Sequence, residues 1–473
     1  MSQLSIEREI ELIGMKGSIA KWQACGLNEI QLDIPPTVYP PREDTLLLDR
    51  VIAELESGNG RRMLEIGCGS GALSIAACMR GWKVSACDVN PLAIAATKGN
   101  AAKVGLDEAV LEVREGGPGD IGNWAPTEGV DVIAWNLPYI ESDTEERLGP
   151  MEDAALIGQG EPQQLLSILS QSPEMLNIGG LVLMLHSSNE IGDNLSQSWR
   201  KAGWATRNIA TTTIGDERLT VVACWRPFEQ AGITRLDSCQ STNDEILNQN
   251  NAIEGTFVST EKQVSGRGYA GRGWVNSADG VMGSWLLSDK SIERGAEYLQ
   301  MASNGAILDT LSVFLNSGLP SHSWAHGSSL ETVGLRVKWP NDIWLRTSTR
   351  IGKLCGVLVE GRTQGDDVKI VLGIGLNRYS VDQVEESQGW NELIEETTEE
   401  LLPVIHASVA SLLECHPLIG NANLDASLSP IYASMRMSLS EIQNQAFGLD
   451  SRGGLLTSNG VICSTGEFEW VWN

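Results

Sequence analysis

Several things are scarce in this chain. It has five phenylalanines against 15 tryptophans in 473 residues. Histidine is equally sparse at five, and only His322 and His326, in SHSWAHGSS, stand four apart. No carboxylate flanks that pair and its surroundings are loop-like, so no metal site is expected there. The nine cysteines (Cys25, Cys68, Cys78, Cys87, Cys224, Cys239, Cys355, Cys415 and Cys463) are scattered and odd in number. None forms a C-x-x-C pair, which argues against a disulfide framework and a zinc site. Basic residues are outnumbered, 34 against 61 acidic ones, for a net charge of −27. Residues 1–230 carry 18 basic and 32 acidic side chains, and the remainder carries 16 and 29. Both halves are therefore acidic, which disfavours generic binding to nucleic-acid phosphates. No apolar run reaches the roughly 18 residues of a membrane span. The opening stretch MSQLSIEREIELIGMKG has acids where a secretory leader needs a basic start and an apolar block. A soluble cytoplasmic protein without membrane partners is expected.

The length predicts two or three domains, and a hydrophobic content of 42% is enough to give each an ordinary core. RRMLEIGCG reads as a strand running into a glycine turn, ALSIAACMRG as a helix, KVSACDVN as a strand and PLAIAATKGNAAKVG as a helix. GVDVIAWN and GGLVLMLH are further strands, and ATRNIATTTIGDERLTVVACWRP reads as a closing hairpin. Such alternation predicts a parallel sheet covered by helices. The character changes after Pro227, which places a boundary near residue 230. From about residue 431 the chain reads as short strands with turn signals, a small β appendage. Three domains are expected, at 1–230, 231–430 and 431–473.

Gly67, Gly69 and Gly71 fall between a strand and a helix in LEIGCGSGALSIA. Glycines there let backbone approach a ligand and leave helix N-terminal amides free. The next strand ends in Asp88, about 20 residues on, where a carboxylate can accept both ribose hydroxyls. These two features fit NAD and S-adenosylmethionine equally. A third separates them: the strand VIAW breaks into Asn136-Leu137-Pro138-Tyr139. An amide or ring nitrogen is a poor nucleophile because its lone pair is delocalised, as the ~18–20 kcal/mol rotation barrier of an amide reflects. A catalyst must hold its N–H groups with acceptors and aim it at a methyl donor. Asn136 offers a side-chain oxygen, Leu137 a backbone carbonyl, Pro138 rigidity and Tyr139 a stacking surface.

The order YPPREDT (39–45), EIGCGSG (65–71), DVNP (88–91), NLPY (136–139) and EDAALIGQG (152–160) resembles the HemK/PrmC-type protein-glutamine methyltransferases. The resemblance covers residues 35–225. It implies a Rossmann-like sheet and methyl transfer from S-adenosylmethionine to the Gly-Gly-Gln glutamine of a translation release factor. Asn136 and Tyr139 would hold that glutamine, with Leu137 and Pro138 beside it. Glu65, Gly67, Gly69, Gly71, Asp88 and also Asn136 would bind the cofactor, and Arg42, Asp44 and Thr45 would line the pocket. Two features depart from the family. Leu137 replaces a proline common in N-P-P-Y, and only Glu115 or Asp120 stands where an acid should meet the adenine. The rivals are adenine-N6 nucleic-acid methylation and a non-catalytic, cofactor-binding scaffold.

The second half carries LDSCQSTND, SGRGYAGRGW, LRVKWPNDIWL, GKLCGVLVEG and IVLGIGLN in order. SGRGYAGRGW sets two arginines among four glycines, a flexible loop able to close over an anion. Lys338 and Asp342 pair opposite charges around the Trp339-Pro340 corner, and Lys353 follows at a strand start. Together these motifs resemble the biotin protein ligases over residues 233–473, which implies an α+β catalytic domain with an SH3-like C-terminal β domain. It implies formation of biotinoyl-AMP from biotin and ATP with Mg²⁺, then attack by a lysine of the biotin carboxyl carrier protein. Ser241, Thr242 and Gln263 would bind the biotin rings. Gly266, Arg267, Gly268 and Arg272 would form the adenylate loop, with Arg267 nearest the carboxylate and phosphate. Lys338, Asn341 and Asp342 would serve nucleotide, metal and lysine, and Lys353 would neutralise developing charge. Asn243, Trp274 and Gly356 complete the implied substrate-binding set. Tyr269-Ala270 stands where many members carry another arginine, and lipoate ligases are the rival. No helix-turn-helix precedes this half, so a repressor role is not supported. The acidic stretch 382–402 reads as an amphipathic helix with a solvated face.

Overall fold

The computed structural model describes residues 17–119, 122–138, 162–187, 190–215, 217–268, 271–290, 295–315, 333–364, 367–382, 384, 386–422, 446–450, 452–457, 460 and 462–463. The chain divides into two compact units, the first built mainly on residues 1–199 and 206–226 and the second mainly on 227–416 and 420–473.

The first unit opens with an antiparallel hairpin, β1 (Ser18–Trp22) and β2 (Ile30–Ile34), followed by α1 (Glu43–Glu54). Then come β3 (Arg62–Ile66), α2 (Ala72–Met79), β4 (Lys83–Asp88), α3 (Pro91–Lys103), β5 (Leu111–Glu115) and β6 (Val130–Asn136). Helix α4 (Pro162–Gln171), β7 (Leu176–Ser187), α5 (Glu190–Lys201), β8 (Ala205–Ile214) and β9 (Glu217–Trp225) complete it. The seven-stranded sheet runs β5-β4-β3-β6-β7-β9-β8. Strands β5 to β7 are parallel and β9 is antiparallel to β7. β3 and β6 are buried almost throughout, as strands covered on both faces must be. The order departs from sequence at β3, where one crossover runs left to β4 and the next right to β6. The carboxyl ends of these strands flank the switch point at which open α/β sheets bind ligands.

The second unit contains β10 (Ile233–Cys239), α6 (Thr242–Leu247), β11 (Phe257–Gln263), β12 (Val281–Leu287) and α7 (Ala296–Phe314). It continues with β13 (Leu335–Lys338), β14 (Asp342–Arg346), β15 (Ile351–Gln364), β16 (Asp367–Leu376) and α8 (Thr398–Leu413). Its seven-stranded sheet runs β10-β11-β12-β16-β15-β14-β13, antiparallel except for the β10–β11 pair. The long helices α7 and α8 are buried along most of their length, and the Thr310 and Ser408 hydroxyls meet between them at 3.1 Å. A separate three-stranded sheet is formed by β17 (Ala446–Leu449), β18 (Leu455–Thr457) and β19 (Ile462–Cys463). Among the described residues no helix is long and apolar enough to cross a membrane.

The stretch 382–402 is not the helix its acidic pattern suggests. Helix begins only at Thr398, behind a capping box in which Thr397 and Glu400 satisfy each other's backbone N–H. Before it, the backbone is captured by β15: Lys353 N–H donates to Glu386 O (2.8 Å) and Gln388 N–H to Lys353 O (2.9 Å). Trp390 is fully buried, its indole N–H donating to Glu396 O at 2.9 Å. These long-range bonds and one buried ring outweigh a local helical pattern.

His406 sits inside the second unit among Phe228, Phe257 and Trp285. Trp285 Nε1 donates to His406 Nδ1 at 2.9 Å, so that ring nitrogen is unprotonated. Burial pushes the pKa of His406 down to about 4. The unfolded chain then takes up a proton below about pH 6.5, while the folded chain resists until about pH 4. Stability therefore falls as pH drops through that window, by about 3 kcal/mol in all. Unfolding followed between pH 7.5 and 4.5 should reveal this slope, and His406→Phe should flatten it.

Candidate active sites

In the first unit, β3 ends at Ile66 and the chain turns through Gly67, Gly69 and Gly71, all at positive φ (74°, 52° and 82°). Gly67 and Cys68 donate their N–H groups to Cys87 O at 2.8 and 3.0 Å, tying the turn to β4. Gly67 is exposed, with open space where a Cβ would stand. At Gly71 a Cβ would come within 2.9 Å of Thr97, so the chain closes tightly onto α3. Asp88, the last residue of β4, accepts Gly69 N–H through Oδ2 and Asn90 N–H through Oδ1, both at 2.9 Å. Glu65 is buried and accepts the Ser74 hydroxyl. Burial, then the nearby Asp88 charge, pushes the Glu65 pKa up to about 8, and burial also raises that of Asp88. Two desolvated carboxylates beside an open glycine ledge suit a ligand bringing hydroxyl and ammonium donors. S-adenosylmethionine carries both. Glu115 is the ladder partner of Asp88 on β5, with its side chain exposed. Asp120 and Tyr139 lie outside the described residues.

Asn136 ends β6, and its side-chain nitrogen donates to Asp44 Oδ2 at 2.9 Å. Asp44 is buried in the first turn of α1, and its Oδ1 accepts the Thr45 N–H at 2.6 Å. Thr45 Oγ1 in turn accepts Arg42 N–H at 3.3 Å, and the Arg42 guanidinium lies 3.5 Å from Glu43. The structure thus joins YPPREDT to NLPY across 92 positions. Leu137 is buried and its N–H donates to Leu185 O at 2.9 Å. A proline at this position could not make that bond, so the departure from N-P-P-Y adds one ladder contact.

In the second unit, Ser241, Thr242 and Asn243 are buried at the start of α6. Gln263 turns its Oε1 inward, accepting Thr242 N–H (2.8 Å) and the Thr242 hydroxyl (3.1 Å). Asn243 accepts from Ser284 at 2.6 Å and donates to Glu360 at 2.6 Å. Gly373 has no room for a Cβ, which would stand 2.5 Å from Asn243 Oδ1. Trp274 lies over Gly356 and Gly375, where a Cβ would meet its ring at 2.8 and 2.5 Å. Among the described residues its buried indole N–H has no hydrogen-bond partner. These residues line a narrow cavity of about 40 Å³. A backbone floor open only to glycine gives a ligand close access, and the indole N–H above it can donate to an acceptor atom of that ligand.

Arg267 is engaged by carboxylates of the protein itself. Its guanidinium binds Asp244 in bidentate fashion (2.7 and 2.8 Å) and Glu360 at 3.0 and 3.2 Å. The pairing holds the Asp244 carboxyl below its usual range and raises Arg267. Gly268 N–H donates to Arg272 O (2.6 Å) and Trp274 N–H to Gly266 O (2.9 Å), which folds the loop onto itself. Tyr269-Ala270 lies outside the described residues, as do residues 152–160 and His322 and His326. The expected Lys338–Asp342 ion pair is also redistributed. The two are ladder partners, but Asp342 forms its ion pair with Lys353 at 2.6 Å, and the Lys338 ammonium sits 4.7 Å above the Trp344 ring. Burial lowers the Lys338 pKa. Lys338, Lys353 and Arg272 converge on an adjoining cavity of about 270 Å³ that Trp344 and Asp342 also line. Asn341 is withdrawn from it, donating to Val357 O at 2.8 Å. Asp244 and Glu360 were not expected from the sequence; the only signal was one acid after STN and another in LVEG. Among the described residues no three His, Cys, Asp or Glu side chains gather as a cation site.

Comparison with known proteins matches the two halves separately. A ribosomal protein L11 methyltransferase family model matches residues 47–137, and a biotin/lipoate A/B protein ligase model matches 232–377. A protein of Methanocaldococcus jannaschii that bears the name "putative protein N5-glutamine methyltransferase" is 28% identical over 199 residues, 42% of this chain and 96% of that one. A release factor glutamine methyltransferase from Xylella fastidiosa is 30% identical over 202 residues, 40% of this chain and 69% of that one. In the second half, the bifunctional ligase/repressor BirA of Bacillus subtilis is 34% identical over 146 residues. That match covers 30% of this chain and 38% of BirA, so the chain spans little more than a third of that relative. The first half of the chain thus belongs to the release factor glutamine methyltransferase family, and the second is similar to biotin/lipoate A/B protein ligases over residues 232–377.

Proposed function

We propose that the first half methylates the side-chain amide of the glutamine in a release factor's Gly-Gly-Gln motif. The observation that carries this reading is Asn136, placed at the end of a core strand on the sheet edge that holds the glycine turn and Asp88. S-adenosylmethionine supplies an electrophilic methyl group. Asn136 Oδ1 and the Leu137 carbonyl take the two N–H groups of the acceptor, turning its nitrogen lone pair out of conjugation and toward the donor. The new C–N bond forms as the sulfur–carbon bond breaks with its pair left on sulfur, and the nitrogen then loses a proton. Pro138 keeps the turn rigid, and Tyr139 is the stacking surface expected from the sequence for the acceptor plane. Alignment of this kind contributes on the order of 7–11 kcal/mol.

The second half is read as activating biotin with ATP, Mg²⁺ accompanying the phosphates, and passing it from biotinoyl-AMP to a lysine of the biotin carboxyl carrier protein. Ser241, Thr242 and Trp274 face the rings, while Lys353 and Lys338 offset charge on the carboxylate and phosphate. Arg267 joins them by exchanging Asp244 and Glu360 for the ligand's anion. The strands β17 to β19 are read as part of the SH3-like β domain, and the division of labour as falling near residue 230.

Radiolabel from S-adenosylmethionine should appear on the cognate release factor, but not on its Gln→Ala Gly-Gly-Gln variant and not on DNA. Label on DNA, or on both factors equally, would withdraw the glutamine reading in favour of a different planar nitrogen. Asn136→Ala should abolish transfer while cofactor binding persists; retained transfer would remove Asn136 from the mechanism. For the ligase, Arg267→Ala should slow biotin-dependent ATP–pyrophosphate exchange by at least about tenfold. Exchange driven by lipoate rather than biotin would favour the rival substrate.

A further inference from the structure

A side-chain amide looks nearly the same either way round, yet only one orientation can accept an N–H. In this chain the choice is made by Asp44. An ionised carboxylate only accepts hydrogen bonds, so the end of Asn136 lying 2.9 Å from Asp44 Oδ2 is its nitrogen. The oxygen is therefore on the opposite end of the amide. Asp44 is itself held: its other oxygen accepts the Thr45 N–H at 2.6 Å and the Thr45 hydroxyl at 3.2 Å. It is 3% exposed, in the first turn of α1, where negative charge is favoured. We propose that Asp44 is a positioning residue that fixes the flip state of Asn136, so that its oxygen and not its nitrogen meets the methyl-accepting amide. The carboxylate also draws on the Asn136 N–H and so makes the far oxygen a better acceptor. This inference rests on the glutamine-methylation reading above.

The isosteric change Asp44→Asn tests it, because the outcome follows from hydrogen-bond polarity alone. The Thr45 N–H keeps the oxygen of the new amide on its own side. The new NH₂ then faces Asn136, which must turn its oxygen back to meet it. Asn136 would now present NH₂ to the acceptor, donor against donor. Transfer to the release factor should fall about ten- to hundredfold in kcat, with S-adenosylmethionine affinity and unfolding temperature close to those of the native chain. The swapped pair, Asp44→Asn with Asn136→Asp, restores a carboxylate held by an N–H and facing the acceptor with oxygen. It should recover at least about tenfold over Asp44→Asn alone. Unchanged turnover in Asp44→Asn overturns the inference. So does loss of cofactor binding or of fold in that variant, and so does a swapped pair no better than the single change. If the native chain places no label on the release factor, it is the glutamine reading that falls, and the two failures are thereby told apart.

Discussion

A carboxylate removed from water costs several kcal/mol unless donors meet it, and both units are arranged around that requirement. In the first, Asp88 is met by two backbone N–H groups, one from the glycine turn and one from the start of α3. That pairing sets the turn against β4 and thereby opens the ledge at Gly67. Asp44 is met by Thr45 and Asn136, which sets the first turn of α1 against the end of β6. In the second unit, Asp244 and Glu360 are met by one guanidinium, and Glu360 also by Asn243. Removal of any one donor would leave a partly desolvated charge, so the donors are fixed as firmly as the acids.

The parts of the sites that local sequence encodes were legible. A glycine turn, an acid ending a strand and an amide before proline each declare themselves within a few residues, because backbone conformation and strand termination are local matters. Their common location followed from the alternation of strands and helices, which leaves parallel strands with their carboxyl ends on one edge. What the sequence did not disclose is pairing at a distance. Arg267 reads as an anion donor beside its glycines, yet its partners are 23 and 93 positions away. Lys338 and Asp342 face each other across a turn, but the nearer cation is Lys353, which the β14–β15 ladder brings alongside. The stretch 382–402 has a helical spacing of acids, and that spacing lost to a buried tryptophan and to bonds with β15. A periodic surface pattern carries little energy beside such contacts.

The two halves confront a common chemical difficulty. An amide nitrogen and a carboxylate oxygen are both dulled by resonance, and neither reacts without help. The remedies differ with the sign of charge involved. Methylation makes the acceptor nitrogen more positive, and the Asp44 carboxylate stands directly behind Asn136, with Asp88 on the same sheet edge. Adenylation gathers negative oxygens, and Lys338, Lys353 and Arg272 line the larger cavity of the second unit. The glycine floor there gives the backbone close access, while cations stand at the other end. Charge within each site thus follows the charge that its reaction develops.

That correspondence bears on what the first unit accepts. A nucleic-acid substrate brings phosphates along with its planar nitrogen, and binding it depends on lysine and arginine replacing counterions. Residues 1–230 carry 32 acids against 18 bases. Arg42, at the mouth of α1, is engaged by Glu43, and Arg80 by the buried Asp49. The acids nearest Asn136 would repel a phosphate flanking the target base. A glutamine in a glycine-flanked loop brings no such charge. Its small neighbours let the backbone approach, and its amide presents the two N–H groups that Asn136 and Leu137 would receive on the proposed reading. On the proposed reading, the oriented amide of Asn136 would select for the chemistry of the acceptor nitrogen, and the acidic setting for its being carried by a protein.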